Sequence, residues 1–175
     1  MTTKQAISLW RIALAAADET VQGGPLTAAW LRLFAAHLST RDGVFLRWRG
    51  DMAASAELRR AYSALYGRYV ARALMASRLG FVDFTSLRTK TTTIPGGVTV
   101  RRLTKGDIPD WIAWDPRTGG YVLGEAKGSL SGSERQFRTG SPACVASGKA
   151  QFGRVEVTGP AGRIRTRNWV AASLW

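Results

Sequence analysis

Apolar residues recur at helical spacing in the first half of the chain and alternate in the second, where Gly, Pro and Thr break the runs. Ile7, Trp10, Leu14, Ala17 and Val21 keep a helical interval and predict an amphipathic helix over 4–20, stopped by Gly23, Gly24 and Pro25. Thr27 reads as the N-cap of a second helix reaching 38, with Trp30, Leu31, Phe34, Ala35 and Leu38 as its core stripe. Residues 41–51, with Val44, Phe45 and Trp48, read as irregular chain or a short strand. Ser55 opens the longest helix, 56–79, which Gly80 ends; Leu58, Tyr62, Leu65, Tyr69, Arg72, Leu74 and Met75 hold its period.

After Gly80 the period changes. Segments 81–87 and 98–103 read as strands, separated by a threonine run at 89–93 and a turn at 94–97. Strands at 108–114 and 121–127 flank a turn at 115–120. Residues 128–142 are rich in Ser and Gly and predict a loop; 143–152 predicts a short helix, 154–158 a strand, and 164–175 a final strand or two. The chain ends on an apolar run, which reads as a cut inside a longer protein. The expected class is α/β, a mixed central sheet flanked by helices, with 1–54 a helical extension packed on a core of 55–175. With 175 residues, 45% of them apolar, one sizeable core is expected.

Charge adds a partner to this picture. Twenty-five basic residues outnumber twelve acidic ones, giving a net charge of +13, and a domain so basic points to a polyanion, of which nucleic acid is the commonest soluble one. A single cysteine, Cys144, excludes an internal disulfide and a thiolate zinc cluster, and reads as a cytoplasmic setting. One histidine, His37, lies in an apolar helical pattern and reads as a packing or helix-surface residue, so a histidine metal site or a Ser-His-Asp triad is not expected. No apolar run reaches about 18 residues, so no membrane span is expected.

The chemistry concentrates at 108–127. With Trp114 opposite Tyr121, antiparallel pairing places Asp110 opposite Glu125 on one face, with Cβ atoms about 4.5–5.5 Å apart. Lys127, two residues further on, shares that face. Opposed carboxylates repel, and a divalent cation reverses that cost, with the Ala126 carbonyl as a further oxygen. Such an ion polarises a phosphate, and the ammonium offsets charge developing in the transition state. Four of the twelve acids, Asp107, Asp110, Asp115 and Glu125, fall in this one segment.

Pro109-Asp110, fourteen intervening residues, then Glu125-Ala126-Lys127 and Gly128-Ser129 resembles the PD-(D/E)XK nuclease superfamily, over about the last two thirds of the chain. The resemblance implies a restriction-endonuclease-like core of helix, three strands, helix, strand, here taken over 56–158. It implies that Asp110 and Glu125 bind Mg²⁺ (Mn²⁺ substituting), with Lys127 catalytic. It further implies a role beside the phosphate for Gln151. Some members add a glutamate from the first core helix, which here falls on Glu57. Of the basic residues that follow the motif, Arg135, Arg138, Lys149 and Arg154 are expected to contact phosphates, with the polar 128–142 loop ordering on the substrate.

The leading expectation is thus a metal-dependent nuclease acting on DNA rather than RNA. Two other readings stay open: a non-catalytic nucleic-acid-binding module of the same fold, and the nuclease payload of a toxin or defence system. In the latter the N-terminal helices would bind a partner protein or a second copy. A blander reading of the motif also stands, a solvated hairpin edge where Glu125 and Lys127 pair with neighbours and Asp110 caps a turn.

Overall fold

A computed structural model describes residues 7–20, 26–39, 46–49, 55–88, 90–130, 135–136 and 142–175. Helix α3 (Ala56–Leu79) occupies the predicted span. Ser55 accepts a hydrogen bond from the Leu58 amide at 3.2 Å and caps its start, and Gly80, at φ 68°, closes it in the left-handed region that favours glycine. Its buried face, with Tyr66, Tyr69, Ala73 and Met75, meets both the N-terminal helices and the main sheet.

Helices α1 (Leu9–Thr20) and α2 (Thr27–His37) pack on α3 around Ile12, Ala13, Ala16, Phe34, Tyr66 and Tyr69. The α1 stripe differs from the expected one: Trp10 and Leu14 are exposed, while Ile12, Ala13, Ala15, Ala16 and Ala17 are buried. A helix wedged against two others needs small side chains on its inner faces, so the alanines go inward although the larger apolar residues keep the more conspicuous period. Thr27 is the first helical residue, buried, and not the N-cap, which is Leu26 without a side-chain cap bond. Ala35 of the predicted stripe is exposed. Strands β1 (Leu38–Ser39) and β2 (Arg47–Trp48) pair briefly, and His37 packs beside Trp48 with its Nδ1 2.7 Å from the Tyr66 hydroxyl, a packing residue as expected.

The protein is mixed α/β, with two four-stranded sheets. The first runs β10-β7-β6-β3, formed by β3 (Val82–Ser86), β6 (Trp111–Asp115), β7 (Gly120–Ser129) and β10 (Arg167–Leu174). β6 pairs antiparallel with β7 in the register expected from sequence, Trp114 opposite Tyr121, and β10 runs parallel to β7. A parallel neighbour requires a crossover, which α4 (Ala143–Phe152) and the strands after it supply.

The second sheet is antiparallel, β4-β5-β8-β9, from β4 (Thr91–Ile94), β5 (Val98–Arg102), β8 (Val155–Gly159) and β9 (Gly162–Arg163). Here one expectation is corrected: the strand at 154–158 does not complete the main sheet. It pairs with β5, Val100 opposite Val157, and β10 takes the place beside β7. Val98, Val100, Val155 and Val157 cover Ile112 and Leu123 on one face of the main sheet; Ala71, Met75 and Phe81 meet Trp111, Ala113 and Val122 on the other. Among the described residues no helix is long and apolar enough to cross a membrane.

One contact fixes how closely α3 approaches β7. A Cβ on Gly128 would run into the Ser63 carbonyl oxygen, and one on Gly67 would lie 2.9 Å from the Gly128 Cα. Two glycines thus let helix and strand meet backbone to backbone beside Lys127. Gly128→Ala should lower the urea-unfolding free energy by about 1–3 kcal/mol through overpacking. Gly153→Ala should stay within about 0.5 kcal/mol, because its nearest neighbour would be 3.8 Å away. Equal stability of both variants would refute the close contact.

Candidate functional site

Beyond Trp111 opposite Gly124, β6 and β7 stop exchanging backbone hydrogen bonds with each other and side chains take over. The Ala126 amide donates to Asp110 Oδ2 at 2.7 Å, and the Asp110 amide donates to Glu125 Oε2 at 3.1 Å. The Asp110 carbonyl accepts from the Leu87 amide at 3.0 Å, which ties the same residue to the chain leaving β3. Asp110 and Glu125 are therefore held side by side by three hydrogen bonds to the main chain of adjacent segments. Lys127 points to the same place: its Nζ lies 2.6 Å from Glu125 Oε1. These three residues and Ala126 line a cleft of about 720 Å³, together with Arg68 and Gln151.

The electrostatics are those of two acids in poor contact with water. Burial pushes the Glu125 carboxyl up, the neighbouring Asp110 charge pushes it further, and Lys127 opposes both, leaving it at about 7. Asp110 is also raised, chiefly by burial, against the opposing pull of Arg68, the Ala126 amide and Lys127. Paired carboxyls that resist joint ionisation suit a bound cation. Among the described residues no group of three or more His, Cys, Asp or Glu side chains converges. Two carboxylates with a nearby backbone carbonyl still fit Mg²⁺, which usually takes one or two protein carboxylates and keeps its remaining positions for water and phosphate.

Gln151, on α4, is 2% exposed and its Oε1 has no hydrogen-bond partner among the described residues. Gly148, one turn earlier, lets this helix close on Glu125: an added Cβ would come within 3.2 Å of Glu125 Cγ. The structure thus brings Asp110, Glu125, Ala126, Lys127 and Gln151 together.

It does not bring in Glu57. That residue is exposed in the first turn of α3, one turn before Ala61, where the helix first lines the cleft, and is not itself among the residues lining it. Asp115 is also apart: it is fully buried at the far end of the hairpin, where it accepts from the Arg117 amide at 3.0 Å and pairs with Arg117 and Arg167. Of the expected phosphate contacts, Arg135 and Lys149 are exposed, while Arg138 lies outside the described residues. Arg154 is half-buried and donates to the Asp107 carbonyl at 2.9 Å, so it shapes the rim of the cleft at 106–107.

Arg68, which lines the cleft, and Glu19, which pairs with it, had no place in the motif. Arg68 of α3 pairs with Asp110 Oδ1, donates to Ser86 Oγ at 3.0 Å and lies over the Trp111 ring at 4.5 Å. Its Nε is held at 2.7 Å by Glu19, a buried carboxylate of α1 that also pairs with Arg72 and accepts from Trp111 Nε1 at 2.7 Å. Burial would raise Glu19, but the two guanidinium groups outweigh it and hold its carboxyl below the ordinary value. The signal in the sequence was Arg72, a charge standing inside an apolar stripe; such a charge demands a buried partner.

The Glu125 shift has a consequence for stability. Its folded-state value of about 7 lies above the ordinary 4.5, so between those values the folded chain binds more protons than the unfolded one. Stability without divalent cations should therefore fall as pH rises through that window, and Glu125→Gln should escape this part of the fall. The thermal midpoint of the variant, measured in chelator, should gain on that of the native chain between about pH 5 and about pH 8. A constant difference across the range would contradict the strained carboxylate pair. Compared with family models, with curated proteins and with solved structures, the chain matches none of them, so what can be said of this site rests on its own geometry.

Proposed function

We propose that the protein is a metal-dependent nuclease of the PD-(D/E)XK type, hydrolysing phosphodiester bonds of nucleic acid, DNA before RNA. The observation that carries this reading is the convergence of Asp110, Glu125 and Lys127 at one end of one hairpin, inside a cleft, in a chain of net charge +13. The element order supports it: α3, then β3, β6 and β7 as neighbouring antiparallel strands, then α4, then β10 beside β7. That is helix, three strands, helix, strand, with β4 and β5 inserted between the first two strands and β8 and β9 before the last.

Asp110, Glu125 and the Ala126 carbonyl are the residues that would hold Mg²⁺. When bound, the ion polarises the scissile phosphate and supplies Lewis acidity for attack by water. The chain's own groups do the rest. Lys127, anchored on Glu125, presents a positive charge where negative charge grows on the phosphate. Gln151 lines the same cleft, with its buried Oε1 without a hydrogen-bond partner among the described residues. The exposed Arg135 and Lys149 hold the nucleic-acid backbone without reading its sequence.

Incubation with supercoiled plasmid and Mg²⁺ or Mn²⁺ should give nicked or linear DNA, and chelator should stop it. Glu125→Ala, Asp110→Asn and Lys127→Ala should each lower kcat by about 100-fold or more. Glu57→Ala should cut at the native rate. Cutting by the first three variants at that same rate, or a native protein inert on both DNA and RNA with metal present, would overturn the assignment.

A further inference from the structure

Arg68 is fixed on every side but one. Glu19 takes its Nε, Asp110 one Nη, Ser86 the other, and Trp111 covers its face. Three of its five N–H groups are engaged in these bonds. The group nevertheless lines the cleft and keeps 27% of its side chain exposed. A guanidinium locked in place with unused donors at the mouth of a carboxylate site suits a phosphate, which it can bind through two parallel bonds with little further loss of freedom.

Glu19 makes this placement possible. Arg68 and Arg72 stand one turn apart on α3 and repel each other; the Glu19 carboxylate, 5% exposed, bridges them and accepts the Trp111 indole N–H as well. Without it, Arg68 would be drawn wholly onto Asp110, the carboxylate that the cleft needs for a cation.

We propose that Arg68 is a phosphate-binding residue of the cleft and that Glu19 positions it, which makes helix α1 part of the site and not a separable extension. The identification of the phosphate as a nucleic-acid backbone rests on the nuclease reading. A mere structural tie between α1 and α3 is the competing account, and the sign of one effect separates the two. Glu19→Gln removes a negative charge from a chain of net +13. General electrostatics would then tighten the grip on a polyanion, whereas loss of positioning loosens it.

The experiment measures binding of the full chain to a short fluorescein-labelled single-stranded DNA in chelator, alongside metal-dependent plasmid cleavage. Arg68→Gln and Glu19→Gln should bind about tenfold more weakly, and where the native chain cuts, each should lose about tenfold in kcat. Arg32→Gln, an exposed residue of α2 with the same charge change as Arg68→Gln, should shift binding by less than about twofold. Ser86→Ala removes one exposed anchor of Arg68 and should weaken binding about threefold; it keeps the question decidable if Glu19→Gln does not fold by circular dichroism. Native or tighter binding by Glu19→Gln with kcat unchanged overturns the proposal. So does native affinity in both Arg68→Gln and Ser86→Ala, or a native chain that does not bind the oligonucleotide at all. A native chain that binds without cutting ends the nuclease reading alone, and the affinity series still decides the role of Arg68.

Discussion

The cleft depends on the place where the β6–β7 ladder stops exchanging backbone hydrogen bonds. As far as Trp111 opposite Gly124 the strands pair residue by residue. One step further the amides of Asp110 and Ala126 turn to carboxylate oxygens instead. A backbone amide left unpaired in a part-buried position costs free energy, so the two side chains are bound to the main chain as firmly as a ladder rung would be. That substitution holds two acids together that would otherwise rotate apart, and it leaves them, with Lys127, lining the cleft that Arg68 of α3 and Gln151 of α4 also line.

Everything around this point is arranged to approach it closely. Gly67 and Gly128 let α3 touch β7 beside Lys127, Gly148 lets α4 close on Glu125, and Gly124 leaves room for Met75 against Trp111. Small residues at these contacts bring helices from two directions within reach of one strand end. The N-terminal helix contributes from a third, through Glu19, whose carboxylate bridges two arginines and an indole. The site is thus assembled from distant segments, although its acids come from a single hairpin.

That distinction explains what the sequence could reveal. The Asp110–Glu125 juxtaposition followed from counting across a short turn, because antiparallel register is local arithmetic once one pair is known. The bounds of α3 followed from Ser55 and Gly80, which satisfy its terminal backbone groups on the spot. The partner of β8 did not follow, since alternation of Val155 and Val157 says that one face is buried and not which strand lies alongside. Glu57 was matched by its place on a helix in the motif, yet it is exposed in that helix's first turn, and the cleft is lined from Ala61 onward. Arg68 and Glu19 meet across 49 positions, and no periodicity links them. Only the presence of arginine on an inward helix face hinted that a buried acid had to exist. The α1 stripe misled for a related reason: bulky apolar residues dominate a pattern by eye, whereas packing between two helices selects alanine.

A ladder end of this kind does not by itself require acids. Asn and Gln side chains accept the same two backbone bonds without carrying charge, and neutral groups are cheaper to bury than a carboxylate pair. Burial, with the Asp110 charge adding to it, pushes Glu125 up to about 7, so its surroundings tolerate the ionised form poorly. Lys127 and Arg68 offset part of that penalty, but each is itself exposed to the cleft and positioned to meet something entering it. The unfavourable pairing also sits in a chain with twice as many bases as acids, where two acids held side by side are the exception to its composition. Such local cost is retained where a ligand relieves it. A divalent cation between Asp110 and Glu125 and a phosphate against Lys127 and Arg68 would together relieve the charges of these four residues, which neither ligand would do alone. This joint requirement, more than the short motif, is what favours phosphodiester chemistry over a solvated hairpin edge.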